Sequence, residues 1–209
     1  MSWLVHLVVT LVSAVWLWSG PVDETVLATG GSEGAEGVVR GPSEPRPPLV
    51  VVRALGPVPG HLLRTPCRVL LAEHAVRCVV RRGLGMADVL GAWDVDRAQL
   101  DARRALDAAF EHRSRDAVVE LHVTALDLYE PGKAYVFGLA SLPDRTAILS
   151  LSRLEGDEPG QEEERLRTLV RHEFGHAVGL DHHDVEDCVM RQDPTVASLD
   201  EAPAGPCVT

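Results

Sequence analysis

The residues of this chain that could do chemistry crowd into one stretch near its C-terminus, His172-Glu-Phe-Gly-His-Ala-Val-Gly-Leu-Asp-His182, which reads H-E-x-x-H-x-x-G-x-x-H. Four of the nine histidines fall between positions 172 and 183. An α-helix repeats every 3.6 residues, so His172 and His176 stack on one face, where both rings can reach one metal ion. Glu173 is rotated about 100° from His172, a poor angle for sharing the ion and a good one for touching a water beside it. Gly179 can end the helix, because glycine enters the left-handed conformation cheaply. The chain can then turn and return His182 to the same ion. Three neutral ligands leave a fourth position open, the arrangement of catalytic rather than structural zinc.

Zinc lowers the pKa of its water to about 7, which supplies a nucleophile at neutral pH. Glu173 is placed to take the proton from that water and pass it to a leaving amine. The competing readings are an ordinary amphipathic helix with incidental histidines and a zinc site without turnover. Leu166, Leu169, Val170, Phe174 and Ala177 do form an apolar stripe at helical spacing. The bare five-residue H-E-x-x-H recurs by chance; its extension through Gly179 and His182 rarely does. The intact Glu173 argues against a silent site, although a zinc-dependent binding module and a zinc hydrolase of non-peptide amides use the same residues.

The long motif resembles that of the metzincin metalloproteases, and Met190, eight residues past His182, looks like the methionine those enzymes carry in a tight turn beneath the metal. HEFGHAVGLDHH followed by DCVM is similar to the archaemetzincins, as are residues 126 to 142 (LDLYEPGKAYVFGLASL) and 146 to 154 (TAILSLSRL). The resemblance covers most of residues 49 to 209, is specific in the zinc motif and is weak before residue 100. It implies a zinc peptidase acting on a peptide or protein substrate, with Met190 packed beneath the ligands. It also implies an α+β zincin fold: a twisted, mixed five-stranded sheet, an active-site helix and a short C-terminal subdomain. The fourth strand, containing Tyr135-Val-Phe-Gly138, is then the sheet edge along the cleft, where a substrate peptide adds as an extra strand. Gly138 would permit close backbone approach there, and plain sheet packing accounts for Val136 and Phe137 equally well. The family pattern adds four cysteines that bind a second, structural zinc. Here His183 stands at the first of those positions, Cys188 and Cys207 match the second and third, and the fourth is absent. Two readings stay open: a second zinc on His183, Cys188 and Cys207, or a Cys188–Cys207 disulfide.

The chain has 209 residues and a formal net charge of −11 at pH 7, enough length for one substantial core. No Lys/Arg cluster supplies the basic face that a nucleic-acid binder needs. Three segments are expected: 1–28 as signal peptide or membrane anchor, 29–48 as flexible linker, and 49–209 as the catalytic domain. Trp3 to Trp18 is an apolar run broken only by His6, Thr10 and Ser13, with Val26-Leu-Ala28 as a small-residue cleavage site. Export is the favoured reading, with membrane contact only through this segment if it stays uncleaved. Residues 29 to 48 are rich in Gly, Pro, Ser and Glu and cannot bury enough apolar surface to fold. In an exported chain the four cysteines could form two bridges, Cys67–Cys78 and Cys188–Cys207 being the pairing local in sequence, with buried thiols the equal alternative for Cys67 and Cys78; in a cytosolic chain all four are expected as thiols or zinc ligands. Oligomeric state is not legible in the sequence.

The elements that must position the site follow from periodicity. Strands are expected at Leu49–Arg53, Ala75–Arg81, 117–127, Ala134–Leu142 and Thr146–Arg153. Helices are expected between His61 and Glu73 (Thr65-Pro66 serving as an internal start signal), over 100–112, and from Gln161 to Val178, whose acidic first turn suits the helix dipole. Tyr129 and Tyr135 are candidate transition-state donors. His74, His112 and His122 stand apart and read as structural or exposed.

Overall fold

The computed structural model describes residues 46–183, 185, 188–192 and 194–201. The N-terminal segment and linker expected from the sequence, up to residue 45, lie outside the described residues, as does Cys207.

The apolar run Leu49–Leu55 forms β1 and is followed by helix α1, Gly60–Glu73. Then come β2 at Arg77–Leu84, a 3-10 helix at Met86–Ala92, and the short strands β3, Trp93–Asp94, and β4, Gln99–Asp101. Helix α2 covers Ala102–Phe110, with the Asp101 side chain capping its first turn by accepting Arg104 N–H. Strands β5 (Val119–Thr124), β6 (Leu128–Tyr129), β7 (Gly138–Ser141) and β8 (Thr146–Ser150) follow, then α3 at Gln161–Val178 and α4 at Val196–Glu201.

The main sheet has the order β2-β1-β5-β8-β7. The first four strands run parallel, and β7 lies antiparallel to β8 at the edge, Gly138 opposite Leu149 and Ser141 opposite Thr146. This is the mixed five-stranded sheet of an α+β fold, with the expected cleft strand at its margin. Alternation divides the strands between two layers. Val50, Val52, Leu121, Val123 and Leu149 face α1 and α3, where they meet Leu70, Leu166, Leu169 and Val170. Leu55 and Ile148 face the other way, onto Leu106 of α2 and the smaller sheet.

Several boundaries differ from the periodicity reading. Helix α1 already starts at Gly60, and Pro66 lies inside it rather than marking a start. The buried Leu62, Leu63, Val69 and Leu70 hold the helix together across the internal hydrogen bond that proline removes. The cleft strand is shorter than expected. Residues ahead of Gly138 turn towards a second, three-stranded sheet, β3-β4-β6, through the bridge Leu128↔Val136 and hydrogen bonds from Arg97 and Gln99 to the Ala134 carbonyl. The smaller sheet and the 3-10 helix escaped prediction because strands of two or three residues carry no measurable period. Cys67 and Cys78 form a disulfide joining α1 to β2, with Cα atoms 5.3 Å apart, which resolves that pair in favour of the bridge.

Candidate metal centre

Helix α3 carries the first two candidate ligands and occupies the range read from the sequence. Its apolar stripe is buried in the core, which fixes the rotation of the helix and sets His172 and His176 on the flank beside that stripe. Glycines in the left-handed conformation bound it at both ends, Gly160 at φ 89° and Gly179 at φ 104°. Beyond Gly179 the Leu180 N–H donates to Gly175 O at 2.9 Å, so the chain reverses tightly and His182 comes back over the helix end.

The three rings converge. His176 Nε2 lies 3.1 Å from His172 Nε2 and 3.1 Å from His182 Nε2. The outward nitrogens explain why. His172 Nδ1 contacts Val189 O at 2.8 Å, and His176 Nδ1 contacts Leu180 O at 2.8 Å. A carbonyl only accepts, so both rings carry their proton on Nδ1 and present a bare lone pair at Nε2. Lone pairs brought this close repel unless a cation joins them. Three nitrogens each about 2.0–2.1 Å from one ion span such separations, so the donor set fits zinc. Burial pushes the His172 ring down to about 4, against the Val189 hydrogen bond, and shifts His176 in the same direction; both favour the neutral, ligating form. Among the described residues, these three form the one group of His, Cys, Asp and Glu side chains able to hold a metal.

Glu173 is buried on the sheet side of the helix, against Gly138 at the start of β7. Burial pushes its carboxyl up to about 8; the Glu130 carboxylate adds to the rise and Lys133 opposes it. A divalent cation nearby acts in the opposite direction. Gly138 therefore has a reason the sequence did not disclose: its missing side chain leaves the space that Glu173 fills.

Met190 is buried against Gly175 of α3. Its Sδ lies 2.5 Å from the point a Cβ on Gly175 would occupy, between the two helical histidines in sequence. The turn around it is braced by Met190 N–H to Cys188 Sγ at 3.3 Å, and Met190 O accepts His183 N–H at 2.9 Å. His183 is half-buried beside this turn. Cys188 is buried and disulfide-bonded.

Of the two tyrosines, Tyr129 is committed elsewhere: its hydroxyl donates to Asp94 at 2.9 Å, beneath the Arg97 guanidinium. Tyr135 lies edge-on to Phe137, under Arg153. Arg153 in turn makes two hydrogen bonds to Asp127, at 2.8 and 2.6 Å, and Gln99 joins Asp127 to the Ala134 carbonyl. This lattice clamps residues 127–135, so that Glu130 and Lys133 act on Glu173. Sequence reading missed both, because no motif marks a loop residue brought in by a distant clamp. His122 is fully buried and His112 faces Asp88 at 4.0 Å, both away from the metal-binding group, and the His74 ring lies against Phe174.

Comparison with known proteins accords with this geometry. Residues 89–209 match the model of peptidase family M54. The chain is 31% identical over 161 residues to the archaemetzincin of Haloquadratum walsbyi, covering 73% of this chain and 91% of that one. It is 30% identical over 162 residues to that of Pyrococcus abyssi, covering 73% and 86%. Among solved structures, the archaemetzincin of Methanopyrus kandleri aligns with a TM-score of 0.68 at 28% identity, covering 79% of this chain and 92% of that one. The archaemetzincin of Archaeoglobus fulgidus, crystallised with malonate, aligns at 0.65 and 27% identity, covering 76% and 95%. Converging histidines, an edge strand along the helix and a methionine turn below thus sit on a shared fold, and the chain belongs to peptidase family M54, the archaemetzincin zinc metallopeptidases.

Proposed function

We propose that His172, His176 and His182 hold one catalytic zinc and that Glu173 is the general base and acid of peptide-bond hydrolysis. The observation that carries this reading is the convergence of three Nε2 lone pairs next to a buried carboxylate. When bound, zinc acidifies water and polarises a scissile carbonyl. Glu173 takes the proton of the attacking water and returns it to the departing amine. Val189 and Leu180 hold the rings in one tautomer through their carbonyls, which keeps the ligand set preorganised. A peptide substrate adds to the free edge of β7, whose backbone groups supply main-chain hydrogen bonds.

The same proposal places the protein in an oxidising compartment, reached through the apolar Trp3 to Trp18 segment. The Cys67–Cys78 bridge supports this, since disulfides persist mainly outside the cytosol. No helix among the described residues is long and apolar enough to cross a membrane. For the tail, the disulfide-bonded state of Cys188 favours a bridge over a second zinc on His183, Cys188 and Cys207.

The test is metal content and peptide turnover in two variants. Glu173→Ala is expected to retain one zinc per chain and lose hydrolysis; unchanged turnover defeats the mechanism. His176→Ala is expected to lose the metal, and full occupancy there shows the ligand set to be wrong.

A further inference from the structure

Two contacts fix how β7 runs past the zinc helix. Gly138, at the start of β7, abuts Glu173. Leu142, just past its end, lies with Cδ1 3.6 Å from the point a Cβ on Gly179 would occupy. Early meets early and late meets late, so β7 and α3 run in the same sense, and Leu142 stands beside the turn that joins the second ligand to the third.

Large aliphatic side chains around that turn face water. Leu142 is 51% exposed and Leu180, just past Gly179, is 50% exposed, with its Cδ1 3.4 Å from the point a Cβ on Gly175 would occupy. Leu180 is also tied to a ligand, since its carbonyl holds His176 Nδ1 at 2.8 Å. Half-exposed aliphatics grouped beside a reactive centre mark a surface that something covers. The cover is already at hand in the substrate. An antiparallel strand pairs somewhat more stably per residue than a parallel one, and β7 already pairs that way with β8. A peptide added antiparallel to β7 places the residues N-terminal to its scissile bond towards Leu142 and those C-terminal towards the Glu130–Lys133 loop.

We infer that Leu142 and Leu180 form an apolar wall that selects a large apolar side chain upstream of the scissile bond, so that the substrates are peptides with a residue such as leucine or phenylalanine there. This rests on the peptidase reading of the same site. A half-exposed wall discriminates through the water its occupant displaces, which sets the effect at about tenfold between leucine and serine.

The experiment uses the full chain loaded with one equivalent of zinc. A mixed peptide library, with cleavage sites read by mass spectrometry, reports kcat/KM at each position either side of the cut bond. In parallel, fluorescein-labelled peptides differing only by leucine or serine upstream are titrated by anisotropy onto the Glu173→Ala chain. The expected result is an upstream apolar preference of about tenfold in both assays, reduced to twofold or less by Leu142→Ser and untouched by Leu90→Ser, an exposed leucine on the distant 3-10 helix. Apolar-selective binding that depends on Leu142, with no hydrolysis by any chain, upholds the wall and removes the peptidase reading. An unchanged preference in Leu142→Ser, a preference only downstream, or no binding of either labelled peptide overturns the wall.

Discussion

Gly138 and Glu173 occupy one space: a Cβ on Gly138 would lie 2.7 Å from Glu173 Cδ and 2.8 Å from Cγ. The buried carboxylate thus rests against bare backbone at the start of the cleft strand. Because β7 is held at fixed register on β8 and α3 is anchored by its apolar stripe, neither element can withdraw to admit a methyl group.

Gly138→Ala should therefore displace Glu173 while leaving the three histidines in place. The expected outcome is full zinc content with kcat reduced about 100-fold, because a misplacement of about 1 Å costs that much. Zinc analysis alongside steady-state kinetics checks it; wild-type kcat would show that the carboxylate does not act from this position.

Met190→Ala empties the space under Gly175 and should cost about 2–4 kcal/mol of stability. It also loosens the turn whose Val189 carbonyl orients His172, so zinc affinity should fall about 10- to 100-fold. Met190→Leu, close to it in volume, should recover most of both. Denaturant melts and competition with a chromophoric chelator measure the two effects.

The Cys67–Cys78 bridge closes a short loop, at a sequence separation of 11. Loop-closure entropy for that length is about 3 kcal/mol. Replacing both cysteines by alanine should lower the guanidinium midpoint accordingly and leave zinc stoichiometry at the wild-type value. Loss of the metal along with the bridge would show that α1 and β2 support the site more directly than their distance from the histidines implies.

His122 should contribute to the loss of stability in mild acid. Within the described residues neither of its ring nitrogens makes a hydrogen bond, and Glu120 Oε1 is 3.7 Å away. Burial pushes the ring from 6.5 down to about 4; Glu120 resists this, while Arg53 and His112 add to it. The unfolded chain therefore binds a proton below pH 6.5 that the folded chain refuses until about pH 4. The His122 contribution is complete above 6.5 and falls as pH drops through that window, by about 2 kcal/mol at pH 5. The carboxylates of Asp116, Asp127 and Asp200, held below their usual range chiefly by arginine partners, give way only at lower pH. His122→Leu should remove this one proton's share of the dependence between pH 7 and 5, leaving those of His172 and Glu173 in place; a slope identical to that of the parent chain shows that His122 does not titrate there.

The three converging histidines, the helix from Gln161 to Val178 and the turn at Met190 were legible in the sequence because they are local. Spacing along a helix fixes which side chains share a face, and one glycine permits the reversal that returns the third ligand. The core strands were legible because an apolar run flanked by turn residues has few alternatives. Tertiary structure alone decided what surrounds the carboxylate. Gly138 stands 35 residues from Glu173, Arg97 clamps the Ala134 carbonyl from 37 residues away, and the Leu142 side chain lies against Gly179. Such contacts depend on sheet order and on the register of β7 against β8. Pairing partners distant in sequence set both, and no periodicity along one segment encodes them.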